Sequence, residues 1–395
     1  MKITIRSLAL LALAALPRFA TAGEGITETE VTFAQVAAME GPARQLGQGM
    51  RQGILAAFEE ANAKGGVHGR KVQLESLDDG YEPEQSVARV RAVIDGNGHI
   101  GLIGAVGTPT SAATQPIATE VGMPFVGPFT GAGFLRDPAL TNVYNVRASY
   151  FAETEAWIKY LVDQLGMSSI ALLYQDDGFG RVGLDGVTAA LSKRGLTLVA
   201  QGTYTRNTTA VKKALLDIRG AKPDAVVMVG AYKPVAEFIH LSRKLNFNPV
   251  FVNISFVGSE ALARELGPDG EGVIVSQVVP FPWDETIPVV AEYHKAMTAL
   301  DPEAHPGFVT LEGYLAGRLA LAALDAAGPK LTRQRFLTAL AGIRTLELDG
   351  VTMVFGPGDN QGMDEVFLTR ITKDGAFQPV PPGGKIGRAS CRERV

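Results

Sequence analysis

The amino-acid sequence predicts an α/β protein made of two doubly wound parallel-sheet lobes joined by a three-strand hinge. Short apolar or β-branched runs alternate with amphipathic helical patterns at the spacing of βα units. Those runs lack strict polar alternation, as expected of parallel strands covered by helices on both faces. The alternation passes through two successive series, in a chain whose 395 residues exceed what one small core organises.

The first series contains VTFAQVA (31–37), VQLESL (72–77), IGLIGAV (100–106) and MPFVGP (123–128). Between its first two strands, GMRQGILAAFEEANAKGG places Ile54, Leu55, Phe58 and Ala61 on one helical face, and Gly65 with Gly66 ends the helix. The second series contains IALLY (170–174), LTLVAQG (196–202), DAVVMVG (224–230), PVFVNIS (249–255) and GVIVSQVV (272–279), with helical patterns such as 154–165 and 234–245 between strands. The remainder abandons the alternation. Segments 288–300, 310–327 and 332–343 read as helices, and VTMVF (351–355) with 365–380 reads as a hairpin-like finish. Helices without strands cannot build a lobe of their own, so they are expected to cover the first lobe while the final strands join the second. The predicted division gives 23–147 with 280–350 to the first lobe and 148–279 with 351–384 to the second, the chain crossing near Arg147, Pro280 and Gly350.

The two ends need separate treatment. Residues 1–22 combine Lys2 and Arg6, the apolar LALLALAAL (8–16) and Ala20-Thr21-Ala22, the pattern of a cleaved secretory signal peptide that directs the mature chain to the periplasm. That apolar stretch is too short for a membrane span, and no membrane insertion is expected. KIGRASCRERV (385–395) is basic and aperiodic, resembles a translated sequencing adapter, and reads as a non-native tail. It carries Cys391, the single cysteine, so disulfides, thiol catalysis and thiolate metal sites are not expected. The formal charge of −4 becomes −7 without the basic residues of the leader and −10 without the tail. An acidic surface disfavours nucleic acid and anionic membranes as partners; a small molecule or another protein fits better.

One device occurs twice. LDDGYE (77–82) and YQDDGFG (174–180) each follow an apolar run with Asp-Asp-Gly and then an aromatic. A catalytic or metal role for Asp78, Asp79, Asp176 and Asp177 requires further ligands, and adjacent residues of an extended chain point to opposite sides. Closure of the turn and capping of the next helix account for them more simply. The enzyme alternative is a divalent-metal hydrolase, which chelation would disable. No G-x-S-x-G, H-E-x-x-H or G-x-x-x-x-G-K-[ST] motif occurs, and the five histidines are scattered. Neither enzyme activity nor a cofactor nor a metal site is expected.

The segment EEANAKGGVHGRKVQLESLDDGYEPEQSV orders a helix end with Asn62, Gly65 and Gly66, then Gly69-Arg70, a strand, Asp78-Asp79 and Pro83. In this order it resembles the type I periplasmic binding proteins of the leucine/isoleucine/valine (branched-chain amino acid) and amide group. The likeness continues through IGAVGTPTSAATQPIATEVGMPFVGP, the FG of DDGFG, KPDAVVMVGAY and LGPDGEGVIVSQVVPFP, and so covers essentially the whole mature chain. It implies a substrate receptor of an ABC importer, whose hinged lobes close on a small organic solute and present it to permease subunits. A ligand sensor of the same fold feeding a signalling partner is the runner-up. The resemblance further implies ligand contacts from Thr108, Thr110 and Ser111 after the third strand, from Phe129, Thr130 and Gly131 after the fourth, and from Phe179 and Tyr232 of the other lobe. Where amino-acid-binding members place an acid for the ligand ammonium, this chain has Ser255, followed by Phe256; Glu153 or Glu312 is the candidate to supply the charge. Hydroxyl and N–H donors at a helix start suit a carboxylate, although a plain loop with a capping serine uses the same residues. Phe129, Phe179, Tyr232 and Phe256, each at a strand end, fit either cleft or core. Hydrophobic amino acids, aromatic carboxylates and short amides stay open as ligands.

Overall fold

A computed structural model describes residues 23–381; the expected leader at 1–22 and tail at 385–395 lie outside the described residues. In the first lobe β1 (Glu30–Ala37) is followed by α1 (Arg44–Ala63), β2 (Lys71–Asp78), α2 (Pro83–Gly96), β3 (Leu102–Ile103), α3 (Thr108–Glu120), β4 (Phe125–Val126) and β5 (Val143–Tyr144). The strands pair in parallel in the order β2-β1-β3-β4-β5. The second lobe holds α4 (Tyr150–Ile158), β6 (Ile170–Gln175), α5 (Gly178–Ser192), β7 (Ala200–Tyr204), α6 (Lys212–Gly220), β8 (Ala225–Val229), α7 (Tyr232–Lys244), β9 (Val250–Asn253), α8 (Ser259–Leu266) and β10 (Ile274–Gln277). Its parallel strands run β10-β9-β8-β6-β7, the same winding as the first sheet. Every residue of β8 is buried, as a strand covered on both faces requires. In each lobe the order reverses beside the first strand, and the loops there, beyond the carboxyl ends of the strands, are where this winding presents a ligand.

The chain then forms α9 (Pro288–Leu300), α10 (Phe308–Ala327), α11 (Arg333–Gly342), β11 (Thr345–Glu347), β12 (Thr352–Val354), β13 (Phe367–Ile371) and β14 (Phe377–Pro379). Val289, Tyr293, Leu311, Tyr314 and Phe336 carry the three helices into the first lobe's core. Helices α1 and α10 approach at backbone range: a Cβ on Gly53 would stand 1.9 Å from the Thr310 carbonyl oxygen, and one on Gly313 2.4 Å from that of Met50. Strand β13 adds antiparallel to β10, and β14 to β13. Across the hinge, Trp283 stacks on Phe377 at 5.8 Å between ring centroids. Among the described residues no helix is long and apolar enough to cross a membrane.

Three expectations need correction. The first series read from the sequence lacks β5, whose two residues are too short a run to signal a strand. Strand β7 begins at Ala200 rather than 196, because Ala200 is the partner of Ala171 in β6. VTMVF does not pair with 365–380; its β12 pairs with β11, and the chain remains on the first lobe beyond it. The Asn145 N–H donates to the Asn360 carbonyl at 2.7 Å and the Gly362 N–H to that of Asn145 at 2.9 Å, while Met353, Phe355 and Met363 fill the first core. The third crossing therefore lies between Met363 and Phe367, not near Gly350, and 351–363 belongs with the first lobe.

Candidate functional site

The two Asp-Asp-Gly loops enter the space between the lobes from opposite sides. Asp79 accepts the Tyr81 N–H at 2.8 Å and the Ser86 hydroxyl at 2.7 Å. Asp177 caps α5 by accepting the Phe179 N–H at 3.0 Å. Such a side-chain-to-backbone bond fixes the turn and thereby aims the aromatic that follows. Tyr81, held in the left-handed region at φ 61°, and Phe179 both meet the ring of Phe256, at 5.8 and 4.7 Å between centroids. Phe129 meets the same ring at 5.5 Å, and Tyr150 lies 5.5 Å from Phe179. All five rings are buried. Asp78 serves its own lobe by accepting the N–H groups of Met39 and Glu40, and Asp176 faces Arg181 loosely at the surface. Among the described residues no three His, Cys, Asp or Glu gather as a metal site.

A buried polar chain adjoins the rings. Arg147, at the first crossing, grips Glu312 of α10 through Nε and Nη2 at 2.7 and 2.8 Å and reaches the Ser255 hydroxyl with Nη1 at 3.0 Å. Its guanidinium lies 4.3 Å over Phe129. Ser255 in turn donates its hydroxyl and its N–H to the two oxygens of Glu153, each at 2.9 Å, and Ser276 donates to the same carboxylate. Burial opposes the charge on Arg147, but the charge and hydrogen bonds of Glu312 outweigh it and hold the pKa above its ordinary value. Burial pushes the Glu153 carboxyl up, with Arg147 and the serine donors pulling the other way. Of the two acids offered in place of a missing one, Glu153 touches Ser255 directly, and Glu312 is committed to Arg147, which reaches Ser255.

The remaining predicted contacts are spread more widely. Thr108 and Thr130 join hydroxyls at 2.7 Å, while Thr110 turns back onto the carbonyls of Val106 and Gly107. Ser111 is fully buried and its hydroxyl has no hydrogen-bond partner; no side chain caps the start of α3. Gly131 is a place of close approach, where a Cβ would stand 2.6 Å from the Tyr150 ring. Tyr232 is buried but lies outside the stack, its hydroxyl accepting the Gln45 N–H at 3.5 Å. Phe129, Phe179, Ser255 and Phe256 are therefore brought together, and Tyr232 is not. Sequence reasoning passes over Tyr81, Tyr150 and Arg147. Tyr81 carries a usable signal, since it holds the place in the first loop that Phe179 holds in the second.

The rim is clasped on both sides. Arg206 pairs with Asp177 at 2.9 Å and with Glu82 of the first lobe at 2.7 Å, and Gln175 donates to the Tyr81 hydroxyl at 3.2 Å. Opposite, Arg264 reaches Gln45 at 2.9 Å, and Glu260 accepts the Phe308 N–H at the start of α10 at 2.7 Å. A hollow of about 480 Å³ opens there between α1 and α8. The cavity left beside Phe129, Arg147 and Ser255 measures about 10 Å³, room for one water at most.

Known proteins share this fold. The periplasmic binding protein family matches residues 30–376. A Leu/Ile/Val-binding protein of Rhizobium johnstonii is 27% identical over 251 residues, covering 62% of this chain and 67% of that protein. A Leu/Ile/Val-binding protein homolog of Brucella melitensis is 27% identical over 236 residues, covering 58% of this chain and 59% of its own length. The matched stretch thus spans about two thirds or less of these two relatives. The crystal structure of a possible leucine/isoleucine/valine-binding protein from Rhodopirellula baltica superposes with a TM-score of 0.85 and 37% identity, covering 92% of this chain and 98% of that one.

Proposed function

This chain belongs to the periplasmic binding protein family, as a type I member of the leucine/isoleucine/valine-binding group, and from that premise we propose that it captures a small organic acid between its lobes for an ABC importer. The observation that carries the reading is convergence: Tyr81 and Phe129 come from the first lobe, Phe179 and Phe256 from the second, and all meet at one point. An apolar body held among the rings of Tyr81, Phe129 and Phe179 gains roughly 3 to 6 kcal/mol, against about 8 kcal/mol for micromolar binding. Polar contacts supply the rest. The ligand carboxylate goes to the uncapped start of α3, where the Ser111 hydroxyl lacks a partner. An ammonium, where the ligand has one, goes toward Glu153, so hydrophobic amino acids and aromatic carboxylates both suit the site.

Mechanistically, open and closed forms exchange, and the ligand favours the closed form only through contacts made with both lobes at once. The closed form presents one continuous surface to permease subunits in the membrane. The protein works in the periplasm, after export by its leader, and releases its ligand chemically unchanged. A thermal-shift screen over hydrophobic amino acids, aromatic carboxylates and short amides tests this. A binder at a hundred times its Kd adds about 2.7 kcal/mol of stability. A flat response across all three classes, or covalent turnover of any bound compound, would overturn the reading.

A further inference from the structure

The ring of Phe256 fills the space among the aromatic side chains that the two lobes bring together. It is fully buried and tilted against Tyr81 and Phe129 of the facing lobe and Phe179 of its own; a cavity of about 10 Å³ lies beside Phe129, Arg147 and Ser255. The residue is carried on a single 3-10 turn, Ser255–Val257. That turn ends at Gly258, φ 78°, where a Cβ would stand 2.6 Å from Leu46 of the facing lobe. One end of the turn is anchored, because Ser255 is bound by Arg147 and Glu153. No hydrogen bond fixes the ring itself, which packs against Tyr81, Phe129 and Phe179.

We propose that Phe256 is an internal competitor for this slot, and that the slot selects a phenyl-sized aromatic acid. The inference rests on the reading of the cleft as a solute site. Three tilted aromatic rings already pack around a phenyl group, and the Arg147 guanidinium over Phe129 places a cation at the slot's edge. Removal of a buried ring leaves a hollow of the order that takes benzene in other proteins, about 150 Å³. A competitor acts by withholding the competent form: if the ring occupies the slot nine times in ten, apparent affinity is about tenfold weaker than the intrinsic value. A wall residue has the opposite sign, since its loss can only weaken binding.

Calorimetric titration of benzoate, phenylacetate and leucine into the full-length protein and its Phe256→Leu and Phe256→Ala variants separates these. The expected result is a gain of about tenfold for the two aromatic acids in Phe256→Ala, a smaller gain in Phe256→Leu, and a change for leucine of less than about threefold. Weakening of the aromatic acids in both variants would overturn the competitor role, and equal gains for all three ligands would overturn the phenyl selectivity, in either case with wild-type binding intact. No binding of any of the three by wild type or variant would instead overturn the solute reading as well.

Discussion

The loops at 78–81 and 176–179 share Asp-Asp-Gly and an aromatic, follow strands of different rank in their lobes, and deliver their rings to the same residue. In both, the second aspartate accepts the N–H two residues on, at 2.8 and 3.0 Å. They differ in where the carboxylate's charge goes. Asp79 is buried with Ser86 and backbone for company, and burial lifts its pKa to about 6, partly offset by those hydrogen bonds. Asp177 faces Arg206, which continues to Glu82 across the cleft. The motif sets the turn and the aim of the ring; the neighbours decide whether the acid stays internal or clasps the lobes.

Both rings close on Phe256, whose turn is fixed to the Arg147–Glu312 pair, and breaking that pair should have the largest effect. Glu312→Gln leaves Arg147 buried without its countercharge, a loss of about 3 to 5 kcal/mol, measured as a fall in the urea midpoint. A loss under about 1 kcal/mol would mean that the two loops do not share this support. Next comes Asp79. Its folded pKa is raised from 3.8 to about 6, so the penalty for the buried charge is fully present above pH 6 and is relieved as pH falls toward 4. Two units correspond to roughly 3 kcal/mol. Asp79→Asn should flatten this pH dependence and narrow its advantage over wild type on acidification; an unchanged pH profile would contradict the internal placement of Asp79.

Smaller effects sharpen the contrast on the other side. Arg206→Ala should weaken ligand affinity by about fivefold, equivalent to about 1 kcal/mol for a partly exposed pair, and molar salt should erase the difference. A loss insensitive to salt would show that Arg206 acts by packing and not as a clasp. Asp176, exposed beside Arg181, should tolerate Asp176→Ala within about 0.5 kcal/mol. A larger cost in thermal unfolding would give the first aspartate of the second loop a role that its surroundings do not provide.

How far such contrasts are legible in the sequence depends on the range of the interaction. The lobes, their winding and the helices covering the first lobe follow from apolar periodicity, a local signal. β5 escapes because two residues of strand, Val143 and Tyr144, carry no period. The third crossing is misplaced because VTMVF has strand composition whichever partner it takes, and its partner is β11. Tyr81 is readable from the twin loop, whereas Arg147 and Glu312 lie 165 residues apart and nothing local marks their pairing. Ser255 and Glu153 are likewise 102 residues apart, which is why the acid behind Ser255 could be named only as a choice between Glu153 and Glu312.

Grip by both lobes is best tested by calorimetry with whichever acid most stabilises the wild type, comparing Ser111→Ala from the first lobe with Phe179→Leu from the second. Each substitution is predicted to weaken binding about tenfold, as loss of a hydrogen bond to a charged group or of ring contact would. A loss confined to one of the two, with the other binding as tightly as wild type, would contradict a ligand held between the lobes.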